Sequence, residues 1–553
     1  MRIQLQRIMY RQDSSFITCL ALILSNLFLF TNISNAVDDA ANSAPQWEAV
    51  EFRFNAAKEY DNPYTDVEFY LDFIHEDGTQ IRRPGFWNGG GSFMVRFASP
   101  LSNGVWQWKS FCDTDDSGLQ GMTGTLQARE PAGESSFQQH GFWQIPFGSR
   151  WMQHASGRSA VIVADTPWAL PWRATHEQVE IYAKDRQAKG FNAALLMSVM
   201  PDRRMEGPRD RTQHFGFGRG FEDLPQGRLN QLNPDYFQYL DRSIDILVSH
   251  GICPVWQPVF HGYGWRGKGV AGPVVSAGEY ARYCRYLVAR YGAYPAVWLV
   301  LGDGHGAEPG IHAGGREIER WDAYRHPTGL HYGPQANSQA HQAKTWLDFQ
   351  WIQTGHNGEH RQDRLAAHWY ATPVKAIANG EPSYENTGSI GRAAGWWQGH
   401  EAWRNLCAGG TMGVVYGAGS LWNWVHQGEP TQNDGWARAP KSSWRDALDF
   451  EGSRYVGQLG HILKGLSLNG AQPDNSCTYG RPSLFKPYEL LILYLEHGGD
   501  LRVLRDDIPD MWRIYDPKSG KVLKTGSLGQ SGKHLGNTGN GPRVVIFSSD
   551  FNE

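Results

Sequence analysis

Val297-Trp298-Leu299-Val300-Leu301-Gly302-Asp303-Gly304-His305 is the run that decides the fold. Its first five residues are apolar without a break, which suits a strand covered on both faces, as in a parallel sheet. The run then ends in a carboxylate set between two glycines. Outward from it the same grammar repeats. Upstream, 160–164 is a strand ending at Asp165-Thr166-Pro167-Trp168. A helix opened by Thr175-His176-Glu177-Gln178 and closed at Gly190 leads into a strand over 191–200. Asn233-Pro234 opens the helix before a strand at 252–260, and Ser276-Ala277-Gly278-Glu279 opens the helix before 297–301. The Thr and Ser starts are capping boxes, and Asn followed by Pro is a helix N-terminus. Downstream come strands at 331–335, 349–354 and 375–379, and an eighth at 413–416 with 421–424. Eight strand–helix units with polar strand ends predict a (β/α)8 TIM barrel over 140–466 rather than its rival, a doubly wound sheet.

Both flanks read as β. Val67, Phe69, Leu71 and Phe73 alternate with polar positions, as do Phe93, Val95 and Phe97, and Trp106 with Trp108. Turn signals at Asp61-Asn62-Pro63, Asp77-Gly78, 88–91 and Asn103-Gly104 separate them, which predicts an N-terminal β-sandwich over 46–130. Pro131 and Gly133 mark its boundary. Alternation returns at 490–494, 501–504, 512–515 and 544–547, with a hairpin turn at 516–520, and predicts a C-terminal β-sandwich over 467–553.

A chain of 553 residues exceeds one core, so two to four domains are expected. A net charge of -4 without a basic block argues against a nucleic-acid partner. Aromatic content is 13%, with 23 Trp, which suits both large β cores and stacking platforms for sugars. Arg2, Arg7 and Arg11 precede an apolar stretch at 16–30, and Ser34-Asn35-Ala36 resembles a cleavage site. Residues 1–36 therefore read as a signal peptide, and the protein as secreted or periplasmic. As an uncleaved anchor the stretch is short, at about 15 residues against the roughly 20 a bilayer needs, and no later segment is long enough to span a membrane. Cys112, Cys253, Cys284, Cys407 and Cys477 are odd in number and scattered, so neither a disulfide framework nor a metal site is indicated, and buried thiols are expected at Cys253, Cys284 and Cys407. Oligomeric state is not legible.

In such a barrel the reacting groups stand at the C-terminal ends of strands. Asp303 ends the fourth, and Asn379-Gly380-Glu381-Pro382-Ser383-Tyr384-Glu385 puts Glu381 at the end of the seventh. Two carboxylates across a mouth are what glycosidic bond cleavage requires. Asp303 could instead cap a helix, but its flanking glycines leave room for a ligand. Glu381 could instead pair with an Arg, but Gly380 permits close approach and Pro382 stiffens the turn. Glu385 is expected to orient Tyr384 or a neighbour. His261, His305 and His356 each follow a strand. Their spacing carries no metal signature, so they are expected to meet sugar hydroxyls. Asp165, Trp168, Gln257, Asn357 and Tyr384 are further expected sugar contacts. Trp424 is expected to stack on a ring, while Trp422 fits stacking or packing equally. Gly216–Gly220 echoes a phosphate loop without the strand–helix junction and reads as part of a long loop over 201–231. The reaction needs no cofactor.

Trp346-Leu347-Asp348-Phe349-Gln350-Trp351-Ile352-Gln353-Thr354-Gly355-His356, with the Asn379–Glu385 and Asp165–Trp168 strings, resembles the apiosidase-like glycoside hydrolases. In those proteins a DUF5060 β-sandwich precedes a DUF4038 barrel. Asn62-Pro63-Tyr64, and Val95-Arg96-Phe97 followed by Gly104-Val105-Trp106, resemble the sandwich, and 512–520 resembles a C-terminal domain labelled collagen-binding in such chains. The resemblance spans almost the whole mature chain. It implies Asp303 as general acid/base, Glu381 as nucleophile, and retention of configuration. Many barrel glycosidases carry Glu where Asp303 stands. The family's named activity, release of apiose from a branched pectin (rhamnogalacturonan II), implies a plant or algal polysaccharide or oligosaccharide as substrate. An arabinoside, fucoside or galactoside is the alternative. A non-catalytic carbohydrate-binding protein on a decayed barrel is the reading from another class, and the presence of both carboxylates argues against it. Matrix binding through the C-terminal domain rests on the resemblance alone.

Overall fold

A computed structural model describes residues 43–200, 219–262, 270–334, 336, 339–356, 362–386, 395–428 and 442–552. The signal-like residues 1–36, Asn357 and most of the loop after the second barrel strand, Gly216 included, lie outside them.

The N-terminal strands form two facing sheets. One runs in the order Ser43–Pro45, Thr123–Arg129, Val105–Cys112, Phe69–His75, Gln80–Pro84, and the other Ala49–Asn55, Ser92–Ala98, Phe86–Trp87. The period-two alternation turns Phe69, Leu71 and Phe73 inward. There Phe73 stacks on Phe97 at 4.1 Å and meets Phe52 edge-on at 5.4 Å. Each such pair contributes about 0.5–1.5 kcal/mol beyond its buried area.

The centre is a closed parallel barrel of eight strands in chain order. We label them β1 (Ile162–Asp165), β2 (Ala193–Met197), β3 (Cys253–Gln257), β4 (Val297–Gly304), β5 (Thr328–Tyr332), β6 (Phe349–Gln353), β7 (Ala376–Glu381) and β8 (Gly413–Val415). Closure is made by Ile162–Ala164 pairing with Gly413–Val415. The expected eighth strand is shorter than its sequence suggests. Gly419–Trp422 is a helical turn, because β8 has already ended and the chain must fold over the mouth. The fifth strand begins three residues earlier than expected, at Thr328, so His331 lies near its C-terminal end.

Helix starts follow the local signals. Thr175 and Gln178 exchange both hydrogen bonds of a capping box, and the Asn233 side chain accepts from Asp235 N. At Ser276 only half of the box forms. Ser276 accepts from Glu279 N, while the Glu279 carboxylate turns to Leu229 N and Arg228.

Beyond the barrel, a six-stranded antiparallel sheet runs in the order Gln472–Pro473, Ser483–Lys486, Leu490–Leu495, Arg543–Ser548, Met511–Tyr515, Val522–Ser527. It is partnered by the pair Gly498–Arg502 and His534–Asn540, around a core of Leu491, Leu493, Ile514, Val545 and Phe547. All five cysteines outside the signal-like segment are free, and Cys253, Cys284 and Cys407 are buried.

The N-terminal sandwich is fastened to the barrel by a buried charge cluster. Arg96 and Arg290 both pair with Asp241, at 2.6 and 2.7 Å, and Arg96 also bonds the Arg290 carbonyl. Burial opposes ionisation of Asp241, but the two guanidinium groups overcome it and hold its pKa below the usual range. Asp241→Ala would leave buried Arg290 without a carboxylate and Arg96 with Glu51 alone, at 2.8 Å. It should destabilise the fold by about 3 kcal/mol, the lower end for a broken buried pair. Thermal melting at neutral pH checks this, and an unchanged midpoint would contradict it.

Candidate active site

The two strands that carry the carboxylates are both irregular exactly where those residues stand. Between Gly302 and Gly304 the pairing of β4 with β5 skips Asp303, whose φ is 59°. Between Asn379 and Glu381 the pairing of β7 with β6 skips Gly380. A bulge re-aims the side chain next to it, and Asp tolerates the left-handed conformation better than most residues. Gly380 is required sterically: a Cβ there would lie 1.3 Å from Trp351 Nε1. The barrel order sets β4 and β7 three strands apart, so Asp303 and Glu381 approach the mouth from different sides.

Their electrostatics diverge. Asp303 is buried, and its Oδ1 has no hydrogen-bond partner among the described residues. Burial first, and the charge of Glu381 second, push its pKa well above the usual carboxylate range. Glu381 is equally buried. Burial alone would raise its pKa, but the hydrogen bond with His356 and the nearness of the His331 ring override that and hold it at about 2. Glu381 Oε2 lies 3.2 Å from His331 Nε2, and Oε1 lies 3.0 Å from His356 Nε2. Their surroundings thus push the two carboxyls in opposite directions, Asp303 towards its protonated form and Glu381 towards its ionised form, as where two carboxyls take different roles.

Several expected residues converge here. Trp168 stacks over His331, with ring centroids 5.4 Å apart, and its Nε1 donates to the Tyr384 hydroxyl at 2.8 Å. Tyr384 sits 4.4 Å from the His356 ring. Gln257 reaches His331 rather than open space, at 2.7 Å. His261 packs under β4, where Gly302 N donates to its Nδ1. Burial lowers its pKa to about 4, opposed by the charge of Glu308, and its Nε2 is unpartnered among the described residues.

Others do not converge. Asp165 is fully buried on Arg186, with its Oδ1 accepting from Thr166 N, so it anchors the helix His176–Lys189 rather than facing a sugar. The His305 side chain is exposed. His261, His305 and His356 thus have three different settings and do not form one cluster. Trp424 is buried, stacked on Trp444 at 4.7 Å, with its Nε1 donating to Gln178, which places its ring in packing. It is Trp422, half-buried and edge-on to Tyr384 at 6.1 Å, that reaches the site. Glu385 accepts from the Tyr416 hydroxyl and from Gly452 N, so it braces the helix Glu451–Ile462 rather than Tyr384. Burial raises its pKa to about 7.

Two contributors escaped the sequence reading. His331 was hidden by the late placement of the fifth strand. Glu401, inside the helix Gly395–Cys407, accepts from Thr354 Oγ1, Ser383 N and Trp397 Nε1 and so braces the turn after Glu381. A Glu on the inner face of a helix with Trp four residues before it was the available signal.

The family described as "Apiosidase-like, catalytic domain" matches residues 147–469, and "Domain of unknown function (DUF5060)" matches residues 43–113. Among solved structures the chain is similar to a glycoside hydrolase at 18% identity and TM-score 0.61, covering 75% of this chain and 98% of the other. It is similar to a glycoside hydrolase family 5 protein of Bacteroides vulgatus ATCC 8482 at 18% identity and TM-score 0.62, covering 75% and 95%. A candidate glycoside hydrolase of the same organism, at 16% identity and TM-score 0.67, covers 92% and 100%. At these identities the likeness is one of fold. No curated protein matches the chain.

Proposed function

Because this chain belongs to the apiosidase-like family and is a glycoside hydrolase, we propose that it is a retaining enzyme that releases an apiose-like sugar from a branched plant or algal polysaccharide. The placement of Asp303 and Glu381, both buried at irregular ends of β4 and β7, is the observation that carries this reading. In the first step a Glu381 oxygen bonds to the anomeric carbon as the glycosidic bond breaks, and the Asp303 proton passes to the leaving oxygen. In the second, Asp303 takes a proton from water, whose oxygen bonds to the anomeric carbon and frees Glu381. Trp168, Tyr384, His356 and Trp422 group beside Glu381 and are proposed to receive the sugar. Incubation with rhamnogalacturonan II and a panel of pectic and algal polysaccharides, with chromatography of the products, tests the substrate. Free apiose is expected. Release of arabinose, fucose or galactose in its place would overturn the apiose assignment while leaving the chemistry.

A polysaccharide cannot enter a cell intact, and the N-terminus has the charged, apolar and small-residue regions of an export signal. The enzyme is therefore proposed to be secreted or periplasmic, with Val37 as its first residue. N-terminal sequencing of exported material checks this, and intact Met1 in a membrane fraction would contradict it.

A further inference from the structure

In a regular strand Asn379 and Glu381 would point to the same side. With Gly380 left out of the pairing they part. Asn379 Nδ2 donates to Thr354 Oγ1 at 2.9 Å, while Glu381 reaches His356 at 3.0 Å. The bulge thus aims the carboxylate, and Glu401 holds both of its flanks. Ahead of it, the Thr354 hydroxyl that accepts from Asn379 donates its own proton to Glu401 Oε1 at 2.9 Å. Behind it, Ser383 N and Trp397 Nε1 both donate to Glu401 Oε2, each at 3.1 Å. The directions are fixed by chemistry. A carboxylate only accepts, so the Thr354 proton points to Glu401 and a lone pair is left for Asn379. Asn379, Thr354, Ser383, Trp397 and Glu401 are all buried. The three donors to Glu401 are uncharged. Burial pushes its pKa up to about 7, with the hydrogen bonds from Thr354 and Ser383 pulling the other way. A buried carboxylate costs stability that an apolar side chain would not, and such groups gather at functional sites.

We infer that Glu401 and Thr354 are positioning residues, which clamp the Gly380 bulge from both sides and so hold the Glu381 carboxylate in place for attack. The inference rests on Glu381 being the nucleophile for its kinetic consequence, and on the hydrogen bonds alone for its geometric one. Both residues act through the backbone of β7: Thr354 through Asn379, two residues before Glu381, and Glu401 through Ser383, two residues after it. A nucleophile displaced by about 1 Å can cost about 100-fold in rate, because the reacting atoms no longer meet in line. Opening the clamp leaves the strand end otherwise tied. Thr354 N still donates to the Glu381 carbonyl at 3.2 Å. Ser383 Oγ still donates to the Gly355 carbonyl at 3.2 Å, and Gln398 Nε2 to the Ser383 carbonyl at 2.9 Å. None of these bonds uses the Thr354 or Glu401 side chain.

Three variants of the full chain, Thr354→Val, Thr354→Ser and Glu401→Gln, test this at about pH 8. Thr354→Val keeps the shape and removes the hydroxyl. Glu401→Gln breaks the same link: its amide oxygen must face Ser383 N and Trp397 Nε1, which only donate, so its nitrogen presses a second donor on Thr354. Each should lower kcat about 10- to 100-fold with KM little changed, since the loss falls on the transition state and not on sugar binding. Thr354→Ser restores the hydroxyl and should stay near the native rate. The double variant Thr354→Val/Glu401→Gln should lose no more than the worse single one, because one link is broken twice. Native turnover in Thr354→Val, an equal loss in Thr354→Ser, or losses that multiply in the double variant would each overturn the inference. Crystal structures of the same variants give the arm that does not depend on activity. Glu381 should leave its 3.0 Å contact with His356 in Thr354→Val and keep it in Thr354→Ser. Glu381 unmoved in Thr354→Val would overturn the clamp, whereas a displaced Glu381 with native kcat would instead tell against Glu381 as nucleophile. Should Thr354→Val not fold, Glu401→Gln carries both arms against Thr354→Ser.

Discussion

Replacing Glu381 with Gln should abolish turnover on every substrate, by at least about 10⁴-fold, or about 5.4 kcal/mol of barrier. An amide cannot supply the carboxylate oxygen that bonds to the anomeric carbon, so a better leaving group gives no rescue. The loss should fall on kcat rather than on folding, because Gln preserves the shape at the end of β7 above Trp351. Glu385→Gln is the control, since its carboxylate holds Tyr416 and Gly452 and not the site. Near-native turnover in Glu381→Gln together with a dead but folded Glu385→Gln would move the nucleophile four residues along and sink the site assignment.

Replacing Asp303 with Asn should cost about 10²- to 10⁴-fold in kcat/KM on a natural leaving group, the range for a lost general acid, and far less in kcat/KM on an activated aryl glycoside, whose leaving oxygen needs little protonation, while kcat there falls because water has lost its base. The pH dependence sharpens this. Glu381 must be ionised, which holds above about 2, and Asp303 must be protonated, which holds below its raised pKa. The native enzyme should therefore lose kcat/KM as pH rises through the Asp303 transition. Asp303→Asn, on the aryl glycoside, should lose that alkaline limb. An alkaline limb unchanged in the variant would assign it to another group.

The barrel was legible because its strands are apolar on both faces, and Asp303 and Glu381 were legible because each closes such a run. What was not legible follows from how strands end. Bulges at Asp303 and Gly380 depend on pairing with a neighbour, which one strand's sequence does not encode. Placing the fifth strand at 331–335 instead of Thr328–Tyr332 moved His331 from the C-terminal end of a strand to its start, and concealed a neighbour of Glu381. Trp422 and Trp424 lie two residues apart, and a strand would have turned both to one face. The helical turn at Gly419–Trp422 instead sends Trp422 to Tyr384 and Trp424 to Trp444. Asp165 looked like a ligand because it ends β1. Its partner Arg186 lies 21 residues on, and the ion pair became visible only when the helix folded back.

The central claim is that Glu381 forms a bond to sugar while Asp303 moves the proton. Intact and peptide mass spectrometry of Asp303→Asn, quenched during turnover of an activated aryl glycoside, tests it most directly. The variant should still form the ester, yet lack the base that activates water, so a glycosyl adduct should accumulate and fragment to Glu381. Turnover without any adduct, yielding sugar of inverted configuration, would contradict the account.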